Sequence, residues 1–278
     1  MSDNIPSVQS RITNKLSWYY RYLVRSKNQT IYHCCIQKTG SQWFKQVFRD
    51  EIIWNNLKIH IYSPDDNFIT EDKKVLKRLS NIPKNIIVSP LYIRYNKFDS
   101  LDKPLGNKTF FIARDPRDLI ISNYFSLKHS HNPYHPYILE MRNKLNNMSQ
   151  EEGISEIINS FTKGTKETLE GWFLQKSKNI MLIKFEDIFG DEQVKIFSEL
   201  LKHCELQISR KDIDNLLEKY SFKNISGRKL GKEDVKHHYR KGTPGDWKNY
   251  FNDEHRKLFK TLSGGLLITC GYEKDNNW

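Results

Sequence analysis

Cys34-Cys35-Ile36-Gln37-Lys38-Thr39-Gly40-Ser41-Gln42-Trp43 is the stretch whose reading decides the fold. An apolar run that begins at Ile31 ends at a lysine, a glycine, and then hydroxyl and amide side chains. That order describes a β-strand passing through a tight turn into a helix. The first turn of a helix offers unpaired N–H donors and the positive end of the dipole, which together attract phosphate. Lys38 adds a full positive charge at the mouth of that cradle. A triphosphate-binding loop, G-x-x-x-x-G-K-[ST], places its lysine after the second glycine. Here Lys38 precedes Gly40 and no glycine lies upstream. The competing reading is a plain strand-to-helix turn with a solvated lysine.

Working outward, short β-branched and aromatic runs alternate with longer amphipathic stretches, the pattern of a parallel sheet flanked by helices. Strands are expected at Ile31–Ile36, Leu57–Tyr62, Ile86–Val88, Thr109–Ala113 and Ile180–Lys184. Helices are expected at Ser41–Glu51, Arg117–Lys128, Asp191–His203, Arg210–Tyr220 and Asp253–Thr269, with a helical stretch over Tyr134–Gln175. Phe222–Asp246 reads as a long loop, rich in glycine and charge. The fold class is therefore α/β, three layers with a central parallel sheet. One domain over residues 1–278 is expected, with residues 1–29 as an N-terminal extension.

Two further segments carry charge where a chain turns. Phe110-Phe111-Ile112-Ala113-Arg114-Asp115-Pro116-Arg117-Asp118 is a buried strand ending in an arginine, and Ser122 lies on the helix beyond it. A guanidinium at a strand end can grip a phosphate through paired N–H donors. An Arg–Asp network that merely stabilises the turn is the alternative. Tyr239-Arg240-Lys241-Gly242-Thr243-Pro244-Gly245-Asp246-Trp247-Lys248 sets two cations before two glycines, so the backbone can wrap closely around an anion.

Taken together, in this order, the three segments resemble those of the cytosolic-type sulfotransferases, whose patterns approximate PK-[ST]-G-T-T-W, R-[DN]-P-[RK]-D with a later serine, and R-K-G-x-x-G-D-W-K. Phe185-Glu186-Asp187 is similar to the family's aromatic-Glu-Asp segment. The resemblance implies a P-loop-like sulfotransferase fold. It implies transfer of a sulfuryl group from 3′-phosphoadenosine 5′-phosphosulfate (PAPS), with adenosine 3′,5′-bisphosphate (PAP) as product, to a hydroxyl or amine of a small acceptor. By the same resemblance Lys38, Thr39, Gly40, Ser41 and Gln42 hold the 5′-phosphosulfate, and Trp43 packs on the adenine. Arg114, Ser122, Arg240, Lys241 and Gly242 hold the 3′-phosphate, and Phe222 faces the base. Lys38 is also the expected catalytic cation, and no metal is required.

The sequence departs from the family in two places. Where the family carries a lysine-threonine-histidine segment after the third strand, this chain has Val88-Ser89-Pro90-Leu91-Tyr92. Asp65 and Asp66, after the second strand, are the expected catalytic bases, by analogy with carbohydrate sulfotransferases. His60, His129, His131 and His135 are runners-up. A solvated turn beside Pro64 is the alternative for the two aspartates. The family's short C-terminal dimer motif is not reproduced in Lys248–Glu254, which leaves the oligomeric state open.

Composition is consistent with that reading but does not choose it. There are 45 Lys+Arg against 33 Asp+Glu, a formal charge of +12, so polyanions are attracted. A kinase or nucleotide hydrolase of P-loop type, and a basic nucleic-acid-binding module, are the alternatives. The first needs a different lysine order, and the second a stripe of charge rather than cations at three turns. Neither a nucleic acid nor a membrane is expected as partner, and the acceptor-side loops favour a polar small molecule, as in natural-product tailoring. Cys34, Cys35, Cys204 and Cys270 form no C-x-x-C pair, and Met1–Thr30 lacks an apolar signal core. A reducing, cytoplasmic setting is expected.

Overall fold

The computed structural model describes residues 29–64, 76–77, 79–80, 82, 85–133 and 135–278. Five strands form the sheet: β1 (Ile31–Cys35), β2 (His60–Tyr62), β3 (Ile86–Tyr92), β4 (Lys108–Ala113) and β5 (Ile180–Lys184). Their order across the sheet is β2-β3-β1-β4-β5, and every neighbouring pair is parallel. Between β1 and β4 lie α1 (Ser41–Phe48), α2 (Glu51–Leu57) and α3 (Tyr95–Asp99). After β4 come α4 (Pro116–Phe125), a π-helical turn (Ser126–Ser130), α5 (Pro136–Asn146) and α6 (Gln150–Leu174). The chain then runs through β5, α7 (Phe185–Ile188), α8 (Gln193–His203), α9 (Arg210–Lys219) and α10 (Phe222–Ser226). A 3₁₀ turn (Asp246–Asn249) precedes α11 (Asp253–Ser263) and α12 (Leu266–Thr269).

Alternate residues of the central strands serve opposite layers, because a strand turns successive side chains to opposite faces. Ile31 and Cys35 of β1, with Phe110 and Ile112 of β4, pack under α1, α8 and α9 through Phe44, Phe197 and Leu216. Tyr32 and Cys34, with Phe111 and Ala113, pack under α6 through Leu169 and Trp172. Both faces are covered, which is why these strands read as continuous apolar runs. A third cluster joins α4, α6 and α11 through Ile121, Ile157 and Phe259, with Trp247.

Several boundaries differ from the sequence expectation. Leu57 ends a helix rather than opening a strand; Lys58 closes that helix in the left-handed region and donates its N–H to the Trp54 carbonyl. The alternation of Leu57, Ile59 and Ile61 is thus divided between a helix end and a three-residue strand. The third strand runs on to Tyr92, past Pro90. It can do so because pairing with β1 is irregular between Tyr32 and Cys34, and β2 pairs only as far as Val88. Pro90, which has no N–H to give, sits where the ladder makes no demand. The segment Val88–Tyr92 accordingly lies within the strand instead of following it. The closing helix breaks in two at Gly264–Gly265, and the Phe222–Asp246 loop opens with the short α10. Among the described residues no helix is long and apolar enough to cross a membrane.

Candidate functional site

The β1–α1 turn has a geometry that its sequence makes possible. Gly40 stands at φ +79°, and a Cβ there would lie 2.7 Å from the Phe189 ring, so only glycine fits. Lys38 also takes the left-handed region, at φ +69°, an uncommon state for a residue with a side chain. No side chain caps the start of α1 and no acidic residue stands in its first turn. Ser41 hydrogen bonds to the Tyr92 hydroxyl at 2.8 Å, tying the helix start to the end of β3. The Thr39 hydroxyl is turned inward and donates to the Ile36 carbonyl.

The end of β4 is organised around two different arginines. Arg117 pairs with Asp115 and Glu273 and lies between the rings of Trp247 and Trp278, at 3.9 and 4.5 Å. Asp115 caps α4 and is thereby committed to Arg117. The Arg–Asp network at this turn is divided: Arg117 takes Asp115, while Arg114 keeps a longer ion pair to the buried Asp118, at 3.7 Å. Arg114 itself stacks on the Phe185 ring at 4.3 Å, donates from Nη1 to the Lys38 carbonyl at 3.1 Å, and leaves its Nε buried without a partner.

The glycine-rich loop is held from behind. The buried Asp118 carboxylate, on α4, accepts the N–H groups of Gly245 and Trp247 at 2.6 and 2.9 Å. Asp246, almost wholly buried, receives Arg240 and Lys241, each at 2.5 Å. Arg240 also pairs with Glu233 and lies 4.4 Å over the Phe125 ring. Gly242 stands at φ +75°, and a Cβ there would fall 2.4 Å from the Phe222 ring.

These three segments meet on one cavity of about 630 Å³. Lys38, Arg114, Arg240 and Lys241 all line it, as do Gly40, Ser41, Gln42, Trp43, Ser122 and Gly242, and none of the described lining residues is acidic. Burial, together with the Arg114 and Arg240 charges, pushes the Lys38 ammonium down to about 8. Burial is the larger cause, and the two neighbouring guanidinium charges add to it.

Not every nominated residue reaches the cavity. Phe222 does not line it; its ring packs on Gly242 and under Arg228. Trp43 borders it but is otherwise core, with its Nε1 donating to the Tyr220 carbonyl at 2.8 Å. Asp65 and Asp66 lie outside the described residues. Of the nominated histidines only His131 lines the cavity; His60 rests against Trp54, His129 against Phe125, and His135 caps α5. His237 and His238, which sequence reasoning missed, also line it. Their signal was present, two imidazoles immediately before Tyr239-Arg240-Lys241, but they fall in a loop with no periodicity to orient them.

Comparison with known proteins matches this architecture. The structure is similar to that of a mouse sulfotransferase complexed with PAP, with a TM-score of 0.60 and 20% identity over 86% of this chain and 84% of the other. It is similar also to a retinol dehydratase in complex with androsterone and PAP, at TM-score 0.55 and 17% identity, covering 86% of this chain and 80% of that one. These likenesses establish the fold. In sequence it is 24% identical to cytosolic sulfotransferase 3 of Arabidopsis thaliana, covering 86% of this chain and 80% of that protein. It is 23% identical to flavonol 3-sulfotransferase of Flaveria bidentis, covering 78% and 75%. The sulfotransferase domain profile matches residues 29–267, nearly the whole described chain and all three cation-bearing turns, and the protein belongs to the sulfotransferase family.

Proposed function

We propose that this chain transfers a sulfuryl group from PAPS to a hydroxyl or amine of a small, polar acceptor, of the kind met in natural-product tailoring. The observation that carries this reading is the convergence of Lys38, Arg114, Arg240 and Lys241 on one cavity whose described lining has no carboxylate. A doubly phosphorylated nucleotide needs such a set of donors, and the residues fit it. Among the described residues the buried Arg114 Nε has no partner, and Gly40 and Gly242, whose left-handed turns shape the wall, both line the cavity. Relationship to a cytosolic sulfotransferase of Arabidopsis supports a cytoplasmic setting.

In this reading Lys38, the Thr39–Gln42 backbone and the Ser41 and Gln42 side chains hold the 5′-phosphosulfate. Arg114, Ser122, Arg240, Lys241 and Gly242 hold the 3′-phosphate. Trp43 offers an edge to the adenine, and Phe222 supports the base side indirectly, through Gly242. PAPS supplies an activated sulfuryl group whose departure leaves negative charge on the oxygen that joined sulfur to phosphorus. Lys38 is the cation placed for that charge, and a fixed cation that binds more strongly as charge develops lowers the barrier. Its recess from bulk water strengthens the effect, since fewer water dipoles oppose it.

The test is a ligand-dependent melting experiment without metal. PAP at a hundred times its Kd raises unfolding free energy by about 2.7 kcal/mol. Stabilisation by PAP in the presence of EDTA supports the proposal. Stabilisation only by ATP with Mg²⁺, or salt-sensitive binding to duplex DNA in place of PAP, defeats it.

A further inference from the structure

A second, smaller cavity of about 70 Å³ adjoins the large one, with Asn123, Tyr137, Ser160 and Phe161 in its wall. Only Gln37 and His131 among the described residues line both cavities. The donor-side cavity holds the cations, so Gln37 and His131 stand on the boundary between those cations and the smaller space. Of the two, only His131 carries a titratable side chain able to act as a base.

The chain fixes this imidazole at several points. His131 follows the π-helical turn, and its N–H bonds the Ser126 carbonyl at 2.7 Å. The Ser126 hydroxyl meets its Nδ1 at 3.2 Å, and Arg142 on α5 donates to its carbonyl. The charged or titratable groups that face it are Lys38 from the β1–α1 turn, Arg142 from α5 and His238 from the glycine-rich loop. His237 and His238 line the large cavity alone.

We propose that His131 takes the proton of the acceptor group during sulfuryl transfer, an inference that rests on the donor reading above. The acceptor oxygen or nitrogen bonds to sulfur, and the bond from sulfur to the 5′-phosphate oxygen breaks with its electron pair left on that oxygen. The acceptor's proton passes to the imidazole, which becomes imidazolium. Burial and the Lys38 and Arg142 charges push the His131 imidazole down to about 4 in the nucleotide-free protein. It is therefore neutral and able to accept a proton, but a weak base. An anionic nucleotide beside Lys38 cancels part of that positive field and raises its basicity, so the base is strengthened by occupancy of the donor cavity. This couples proton removal to the presence of the donor.

The experiment has two arms. In the first, imidazole Hε1 resonances of the wild-type protein are followed by NMR from pH 3 to 8, with and without PAP, the His131 signal being assigned by its loss in His131→Asn. A midpoint that rises by at least one pH unit on PAP binding supports the proposal. Bound PAP with an unmoved His131 midpoint overturns it, and absence of PAP binding overturns the donor reading as well. In the second arm, labelled sulfuryl transfer from PAPS is measured to a panel of small alcohols, phenols and amines, alongside PAP binding by calorimetry. His131→Asn is expected to lose on the order of 10²-fold or more in kcat with PAP Kd changed less than threefold, as for loss of a general base. The deficit should shrink for 4-nitrophenol, which ionises unaided, whereas a merely structural role would slow all acceptors alike. His129→Asn, whose ring lies outside both cavities, retains turnover. A large loss in Asp65→Ala or Asp66→Ala with His131→Asn unimpaired would assign the proton elsewhere, leaving the donor reading intact.

Discussion

Arg114 donates from Nη1 to the carbonyl of Lys38 across 3.1 Å, so one cation of the cavity fixes the backbone that carries another. The left-handed turn at Lys38 directs that carbonyl toward the end of β4, and the Phe185 ring holds the guanidinium plane in place. A lysine at 114 would keep the charge but lose the rigid fork that serves both tasks. Arg114→Lys should therefore weaken PAP binding by about 10- to 100-fold, read by calorimetry, with the far-UV spectrum unchanged. Binding within threefold of wild type would show that the fork is not used.

Lys38→Ala should lower kcat by on the order of 10²-fold or more, as for removal of a transition-state donor. A folded variant with near-normal turnover would remove Lys38 from the chemistry.

The lowered Lys38 value sets a pH dependence. Its ammonium is fully charged below about 8 in the nucleotide-free protein and loses its proton as pH rises through that value. PAP affinity should then fall between pH 7.5 and 9.5 in wild type, and this fall should be absent in Lys38→Met. The stability sign is opposite: because the folded value lies below the ordinary lysine value, the charged ammonium costs stability below about pH 8, and that cost fades as pH rises. Calorimetric titrations at fixed ionic strength check the first; nucleotide-free melting of wild type against Lys38→Met checks the second.

Asp118 does not line the cavity, yet it anchors the loop that carries Arg240 and Lys241. Asp118→Ala strands two N–H groups, each costing about 1–3 kcal/mol if left unpaired. A lower Tm together with weaker PAP binding is expected. A lower Tm with PAP affinity intact would show that the loop keeps its place by other means.

Gly242→Ala drives a methyl into the Phe222 ring at a backbone angle that alanine rarely adopts. Overpacking of this kind costs about 1–3 kcal/mol. Adding Phe222→Leu to that variant should restore part of the lost stability, measured by urea unfolding. No recovery would mean that backbone strain at 242, rather than the ring, sets the cost.

The fold was legible because both faces of the sheet are covered. Ile180–Lys184 and the run into Ala113 could be read as strands from apolar continuity alone. Lys38, Arg114 and Arg240 could be read because each follows a strand or precedes a glycine turn, places where side chains must leave the core. What escaped was whatever depended on distant partners. Nothing local says that Phe222 packs on Gly242 instead of lining the cavity, or that Arg117 takes Asp115 and leaves Arg114 only the longer pair to Asp118. His131 was one histidine among several in the sequence, and it stands apart only once Gln37 and the smaller cavity are placed beside it.

Asp246 has one more consequence. Its shielded carboxylate gives Arg240 and Lys241 a permanent counter-charge inside the protein. Arg114 has a more distant one in Asp118, so dissolved chloride competes with an arriving nucleotide mainly at Lys38. Added salt should loosen the complex less steeply than four bare cations would dictate, and the enzyme stays receptive in an ion-rich medium.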